Sequence, residues 1–489
     1  MTINFNQIPS DRLVPFVYVE FDNSRAVQGP GTKSYKVAII GQRLSSGTIA
    51  EATPKLISSV SQAEEYFGKG SQIADMIRAY KDNDENTELW ACALDDGGIT
   101  KASGSFVFSG TATRAGEVAA YIAGYRVAVA VEEGDTAADV AGALRTKLAE
   151  PEYEHFPATI TGSSATVNVI AKNGGAKGNE MDIRLNYYDG EALPEGITCS
   201  VTQPASGASA PDLADAIAAL GSEQFDVFIH PYTDSNNLTA MEDELEDRWG
   251  PLTQNDGVAI TANNDVYADL ITMGDARNSP HQMIVGLYSS PTPPWRIAAA
   301  VGANVAFYGQ IDPARPFQTL ELKGCLSPAI TNRFTASERQ LLLKSGIATC
   351  MVDSAGDLRI ERLVMTYKEN PFGAQDISYR DVNTLLTLSY IRWDFRNYIL
   401  RRYPRHKLAD DGFQYSAGQA IVTPSIMKAE CILKFTEWLE LGLVEGLEQF
   451  KNDLVVERNV SDPNRMDILL PVDLVNQLRV VGTQIQFLL

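Results

Sequence analysis

Short apolar runs alternate with helical patterns between residues 226 and 308, and few folds accept that order. Residues 226–230, 257–260 and 282–285 read as strands. Residues 237–249, 265–273 and 295–308 read as the helices between and after them, the last opened by Pro293-Pro294. Strands that alternate with helices predict a mostly parallel sheet covered on both faces. The same grammar occurs earlier: strands at 35–40 and 88–94, helices at 61–67 and 72–80, with Ile73, Met76, Ile77 and Tyr80 on one helical face.

Between these two α/β stretches the composition shifts. Residues 99–205 are rich in Thr, Ala, Gly and Val, with period-two runs at 105–108, 125–131, 165–170 and 181–185 and one helix at 137–148. The expected architecture is α/β and α+β multidomain: a mostly parallel α/β middle domain (31–98 and 206–336) interrupted by a β-rich inserted domain (99–205). Residues 206–211 read as a small-residue linker. An α+β C-terminal domain (337–477) follows, with a helix at 338–344, a hairpin over 346–366, and long helices at 376–402 and 425–452. An N-terminal arm (1–30), ending in the turn-rich Gly29-Pro30-Gly31, and a C-terminal arm (478–489) complete the plan.

Both arms carry strand patterns. Near the start, Val17, Val19 and Phe21 alternate with Phe16, Tyr18 and Glu20. At the other end Thr483, Ile485, Phe487 and Leu489 alternate with Gln484 and Gln486, while Leu478 and Val480 flank Arg479. Parity changes at Gly482, a position suited to a bulge or a strand hand-over. Twelve extended residues reach roughly 40 Å. Such strands complete either the chain's own sheet or that of a neighbouring copy.

At 489 residues there is material for roughly three domains. A formal net charge of −21 disfavours nucleic acid as a partner. The first residues lack a basic stretch followed by an apolar core, so no signal peptide is expected, and no apolar run is long enough to span a bilayer. The chain is expected to be made in the cytoplasm, with no direct membrane insertion. Cys92, Cys199, Cys325, Cys350 and Cys431 are scattered without a Cys-x-x-Cys pair and read as reduced, mostly buried small residues.

The search for catalytic chemistry yields little. His155, His230, His281 and His406 lie far apart and form no i, i+4 ligand pair. His230 ends a strand of the α/β sheet, where active sites form, though a lone histidine there is also a common structural residue. Gly29-Pro-Gly-Thr-Lys-Ser34 and Gly68-Lys-Gly-Ser71 resemble fragments of a phosphate loop, but neither has its full spacing, and Pro30 lacks an N–H. No cofactor is expected. An α/β enzyme with a β-rich accessory domain is the alternative that this fold class leaves standing.

One region departs from the acidic background. Between Asp376 and Lys407 seven basic residues oppose three acids, about +4 on one helix and its exit. Arg401 and Arg402 in the last turn complement the helix dipole; equally, Arg392, Arg396, Arg401, Arg402, Arg405 and Lys407 form a docking patch for an acidic surface.

Six stretches, taken in order, carry a family likeness: Val14-Pro-Phe-Val-Tyr-Val-Glu-Phe-Asp-Asn-Ser-Arg25, Asp312-Pro-Ala-Arg-Pro-Phe-Gln-Thr-Leu320, Arg333-Phe-Thr-Ala-Ser-Glu-Arg339 with Gly346-Ile347, Glu361-Arg-Leu-Val-Met-Thr-Tyr367, Asp376-Ile-Ser-Tyr-Arg-Asp-Val382 leading to Tyr390-Ile-Arg392, and Asn464-Arg-Met-Asp-Ile-Leu-Leu-Pro-Val-Asp-Leu-Val-Asn-Gln-Leu-Arg479. Together they resemble the contractile tail sheath proteins of phages, the Mu-like group most closely. The 99–205 insert matches least.

That resemblance implies a structural virion component and not an enzyme. Its subunits would stack as hexameric rings around an inner tail tube, with baseplate and tail terminator proteins at the ends. Arms of neighbouring subunits would add strands to a C-terminal-domain sheet, so that the mesh persists while rings rotate, widen and shorten. It assigns strand roles to Phe16, Val17, Tyr18, Val19 and Phe21, and to Leu478, Val480, Ile485, Phe487 and Leu489. It assigns tube docking to Arg392, Arg396, Arg401, Arg402, Arg405 and Lys407, with Lys428 and Lys434 as rivals.

Overall fold

The computed structural model describes residues 33–96, 98, 100–412, 416 and 418–488, and the structural account concerns these alone. The chain divides into two compact units. One is Ser34–Tyr390, rejoined by the chain from Asn476 onward; the other is built on Ile391–Val475.

The first unit opens with β1 (Lys36–Gln42), β2 (Lys55–Leu56), α1 (Val60–Phe67), α2 (Gln72–Asn83) and β3 (Glu88–Leu94). Both helices start where a serine side chain accepts a backbone N–H: Ser59 from Gln62 and Ser71 from Ala74. The insert follows as β4 (Ser103–Gly110), β5 (Gly116–Ile122), β6 (Tyr125–Val131), α3 (Ala137–Leu148), β7 (Ala158–Thr161), β8 (Thr166–Ala171), β9 (Ile183–Leu185) and β10 (Ile197–Ala205). Its strands form two antiparallel sheets, ordered β10-β4-β8-β7 and β6-β5-β9. A capping box between Thr136 and Asp139 starts α3.

The α/β pattern resumes with α4 (Leu213–Leu220), β11 (Val227–Ile229), α5 (Ser235–Trp249), β12 (Val258–Asn263), α6 (Tyr267–Asp275), β13 (Gln282–Gly286), α7 (Pro294–Ile311), α8 (Ala336–Lys344), β14 (Ile347–Val352) and β15 (Leu358–Arg362). One eight-stranded sheet runs β15-β14-β13-β12-β11-β1-β3-β2. Its six inner strands are parallel, and an antiparallel strand closes each end. The 346–366 hairpin, read from sequence as part of a C-terminal block, is therefore the continuation of this sheet, because β14 pairs in parallel with β13.

Both faces of the sheet are covered, as continuous apolar strands require. Val37 and Ile39 enter one core with Val227, Ile229, Val258 and Ile260, together with residues of α2, α7 and the insert. Ala38 and Ile40 face the opposite core with Phe228, Ala259 and residues of α4 and α5. Each large aliphatic side chain so buried contributes about 1.5–3 kcal/mol. α7 is buried on nearly every side. Gly302 permits its close approach to the sheet: a Cβ there would lie 2.3 Å from Ile229 Cδ1.

Helix α9 (Val382–Arg402) leads from the first unit into the second. The second unit continues with β16 (Lys407–Leu408), β17 (Ile421–Val422), α10 (Pro424–Glu440), β18 (Val444–Glu445), α11 (Leu447–Asp453), β19 (Val455–Arg458), β20 (Met466–Leu469) and β21 (Asp473–Leu474). The single helix expected over 425–452 is two, because Gly442 and Gly446 take φ of +70° and +78° and turn the chain between them. Cys431, Phe435, Trp438 and Phe450 form the buried centre, with the Phe435 and Phe450 rings stacked at 4.0 Å. Among the described residues the strands pair as ribbons of two: β16 with β17, β18 with β21, β19 with β20.

Candidate functional site

In an open α/β sheet ligands bind beyond the strand C-termini where the winding reverses. Here that point lies between β1 and β11, the strands from which the sheet grows in both directions. The crevice is filled by the insert's own loop. Gln42 Nε2 donates to Gly174 O at 2.6 Å and to Asp96 Oδ1 at 2.8 Å. Asn173 Nδ2 donates to Arg43 O and Asp96 Oδ1, both at 2.8 Å, and Gly174 N to Asp96 Oδ2 at 2.7 Å. Lys177 Nζ reaches Thr233 Oγ1 at 2.8 Å and Glu180 Oε1 at 2.6 Å.

His230, just past β11, is fully buried. Its Nε2 is 3.4 Å from Gln282 Oε1, and burial pushes its pKa down to about 4, so the ring is neutral at ordinary pH. His281 is also buried, 3.5 Å from Glu246 Oε2. All five cysteines are free, four of them buried and Cys199 half-buried. Burial pushes the Cys92 and Cys325 thiols up to about 12, which keeps them protonated. Among the described residues no group of three or more His, Cys, Asp or Glu is placed to hold a metal ion, and no helix is long and apolar enough to cross a membrane.

The assembly residues expected from sequence are distributed as follows. Phe16, Val17, Tyr18, Val19, Phe21 and Leu489 lie outside the described residues. Residues 476–488 form no strand with any described residue, and their apolar side chains face solvent: Leu478 is 70% exposed, Val480 and Ile485 84%, Phe487 78%. Arg479, absent from the expected site, anchors the root of this arm. Its Nη2 donates to Asn383 Oδ1 at 3.0 Å and faces Asp381 at 3.4 Å, while Gln318 Nε2 donates to Leu478 O at 3.4 Å. A single arginine inside an apolar alternation was its only sequence signal.

The basic residues separate into paired and unpaired. Arg396, Arg401 and Arg405 are exposed, with no ion pair to a described residue. Arg392 is half-buried. Arg402 Nε lies 3.0 Å from Glu430 Oε1, with the guanidinium over the Tyr398 ring. Lys407 Nζ donates to Gln419 Oε1 at 3.0 Å. Glu430 also accepts from the hydroxyls of Tyr398 and Tyr403. The rival Lys434 is withdrawn from any surface role: it is 5% exposed and pairs with Asp394 and Glu437, each at 2.6 Å. Lys428 is half-buried on α10.

Comparison with known proteins locates the chain. Residues 206–366 match the model of the phage tail sheath protein central domain, and residues 374–487 that of the phage tail sheath C-terminal domain. Over 490 aligned residues, all of both chains, 41% are identical to the Mu-like prophage FluMu tail sheath protein of Haemophilus influenzae. Similar solved structures include a sheath tail protein from Desulfitobacterium hafniense (TM-score 0.48, 13% identity, 94% of this chain and 100% of that one). Another is the helical sheath of the anti-feeding prophage in its contracted state (TM-score 0.48, 11% identity, 97% and 99%).

Proposed function

This chain belongs to the phage tail sheath family, and on that premise we propose that it is the repeating subunit of a contractile sheath. Copies stack as hexameric rings around an inner tail tube, between baseplate and terminator proteins, and contract to drive the tube through a target cell envelope. The observation that carries this reading is the arm. Residues 478–488 alternate apolar side chains, yet beyond the contacts of Leu478 and Arg479 at the root they form no strand with any described residue and stay exposed. Among the described residues the second unit meanwhile holds ribbons of two strands, a marginal arrangement with open edges.

An arm donated by a neighbouring copy satisfies such an edge and covers alternate side chains, at about 1.5–3 kcal/mol for each one fully buried. We assign the same role to Phe16–Phe21. Several such contacts per subunit keep copies tethered while weaker contacts break, so contraction is a rigid-body rotation about hinges at Gly29-Pro30-Gly31 and before Leu478. The basic end of α9 faces the tube in this scheme, through exposed charges that salt screens. The role is mechanical and not catalytic. The filled crevice at the β1–β11 reversal supports this, since the loop 173–177 occupies the place where a substrate would bind.

Removing residues 480–489, which leaves the Arg479 contacts in place, tests the reading. The truncated protein is expected to keep its melting temperature and to remain unpolymerised in sedimentation and electron microscopy. Full-length sheaths from the truncated chain would refute the arm's role.

A further inference from the structure

The face formed by α8 and the 367–381 loop gathers three cations, Lys344, Lys368 and Arg380, around one pocket. A pocket of about 250 Å³ is lined there by Gln340, Lys344, Tyr367, Lys368, Ile377 and Arg380, with Gln375 and Asp376 at its side. A smaller pocket shares Gln340, Lys344 and Arg380 and adds Arg362.

Most of the charges have partners. Lys368 Nζ donates to the carbonyls of Gly274 and Arg277, both at 2.5 Å. Asp376 accepts from the Tyr367 hydroxyl at 2.7 Å and from Ser378 Oγ at 2.9 Å. Asp381 accepts from both Arg362 Nε at 2.9 Å and Arg362 Nη2 at 2.8 Å, and it also faces Arg479. One carboxylate thus already serves two guanidinium groups. Arg380 Nε lies 3.8 Å from it, buried and without a hydrogen-bond partner. Lys344 is exposed and has no ion pair to a described residue.

The same two elements expose apolar side chains, of which Ile377 lines the pocket. Phe372 is 93% exposed, Ile377 60% and Leu341 46%. Phe372 does not hang on a loose loop. Asn370 Oδ1 accepts from the N–H of Phe372 at 3.0 Å and of Ala374 at 3.1 Å, and Gly373 supplies the φ of +74° that the turn needs. Asn278 holds the base of the turn, accepting from Lys368 N at 2.7 Å and Glu369 N at 3.0 Å. A braced turn therefore holds an aromatic ring in water on the loop that carries Arg380, a cation whose carboxylate partner is already engaged by two other guanidinium groups.

We propose that this face is a contact between copies: Lys344 and Arg380 receive an acidic side chain of a second copy of the chain, and Phe372, Ile377 and Leu341 close over it. The inference rests on the reading of the chain as a polymer subunit. Charge complementarity selects the partner, because a chain of net charge −21 presents carboxylates in excess. An arginine–carboxylate bond is charge-assisted, and an apolar rim that excludes water strengthens it.

The test compares wild type with K344E/R380E in tube-free polymerisation, by sedimentation and electron microscopy, across a salt series. The double reversal is expected to raise the critical concentration about tenfold at low salt, with the gap narrowing as salt increases. Equal critical concentrations would overturn the proposal while leaving the sheath reading intact. Wild-type protein that never polymerises would bring down the sheath reading, and this one with it. If K344E/R380E melts below wild type, F372A and K344Q carry the test, since neither removes a buried hydrogen bond; each is expected to raise the critical concentration several-fold, and no change in either overturns the contact. Inorganic phosphate is the second arm. If it binds wild type and not K344E/R380E, yet saturating phosphate leaves polymerisation unchanged, the pocket is a free anion site and the proposed contact is wrong.

Discussion

The central sheet and the second unit treat their strand edges in opposite ways. At one end of the sheet β15 is covered by the chain's own 319–322 segment: Thr319 N donates to Ile360 O, Ile360 N to Leu320 O and Leu322 N to Leu358 O, at 2.8–2.9 Å. At the other end β2 is two residues long, too short to recruit a partner. Among the described residues the second unit has no such covers. β19 and β20 pair over four residues each, with Val455 46% and Leu469 62% exposed. A region that closes its edges needs no further strand; one that leaves them open is, on the proposed reading, finished by another chain. Damage to the first should therefore appear as lost stability, and damage to the second as lost assembly.

The largest effect is expected at Asp75, at the heart of the closed region. This fully buried carboxylate accepts from Trp295 Nε1 at 2.7 Å and Tyr125 OH at 2.5 Å, and lies 3.7 Å from Arg296, itself buried. Arg296 also donates to Ala123 O and Gly324 O, so the cluster ties α2, α7 and the insert together. D75A leaves a buried guanidinium without its anion, which costs about 3–5 kcal/mol. Urea unfolding should show that loss. A change below 1 kcal/mol would mean that the insert is held by packing alone.

A smaller effect of the same kind is expected from pH. The folded pKa of His230 lies below its unfolded value of 6.5, at about 4. Between these values the unfolded chain takes up a proton that the folded chain refuses. The stability from keeping the ring neutral is complete above pH 6.5 and falls by about 3 kcal/mol as pH drops to 4. H230Q should flatten that part of the stability profile. An unchanged slope would show that His230 is solvated when folded.

What the sequence made legible follows the same division. The α/β alternation was readable because each buried strand is a short apolar run; strands 88–94 and 125–131 and helix 137–148 match their expected limits. Helix α4 was passed over because a run of small residues beside it reads as linker. β10 was missed for a local reason: Pro204 interrupts it, which an edge strand tolerates at the register shift between Thr202 and Ala205. The pairing of β14 with β13 and the filling of the crevice by residues 173–177 arise only in three dimensions. Counting charge found the basic end of α9. It could not tell that Lys434 is buried against Asp394 or that Arg402 faces Glu430, because which ion pairs form depends on how helices pack.

That sorting of charges gives the smallest and most selective prediction, and it addresses the open region. Arg396, Arg401 and Arg405 are exposed and have no ion pair to a described residue, whereas Arg402 lies against Glu430. R396E/R401E/R405E should therefore lower the melting temperature only slightly, through the helix-dipole interaction of Arg401, since no ion pair to a described residue is lost. If this end of α9 meets an acidic tube surface, the triple variant should bind tubes more weakly than wild type in co-sedimentation, and its binding should depend less on salt. Tube-free self-association should be unaltered. R402E is the control: it places a carboxylate beside Glu430, so it should lower the melting temperature whether or not a tube is present. Equal loss of tube binding and self-association in the triple variant would make these arginines part of the contact between copies, and the basic end of α9 would no longer be the tube-facing surface.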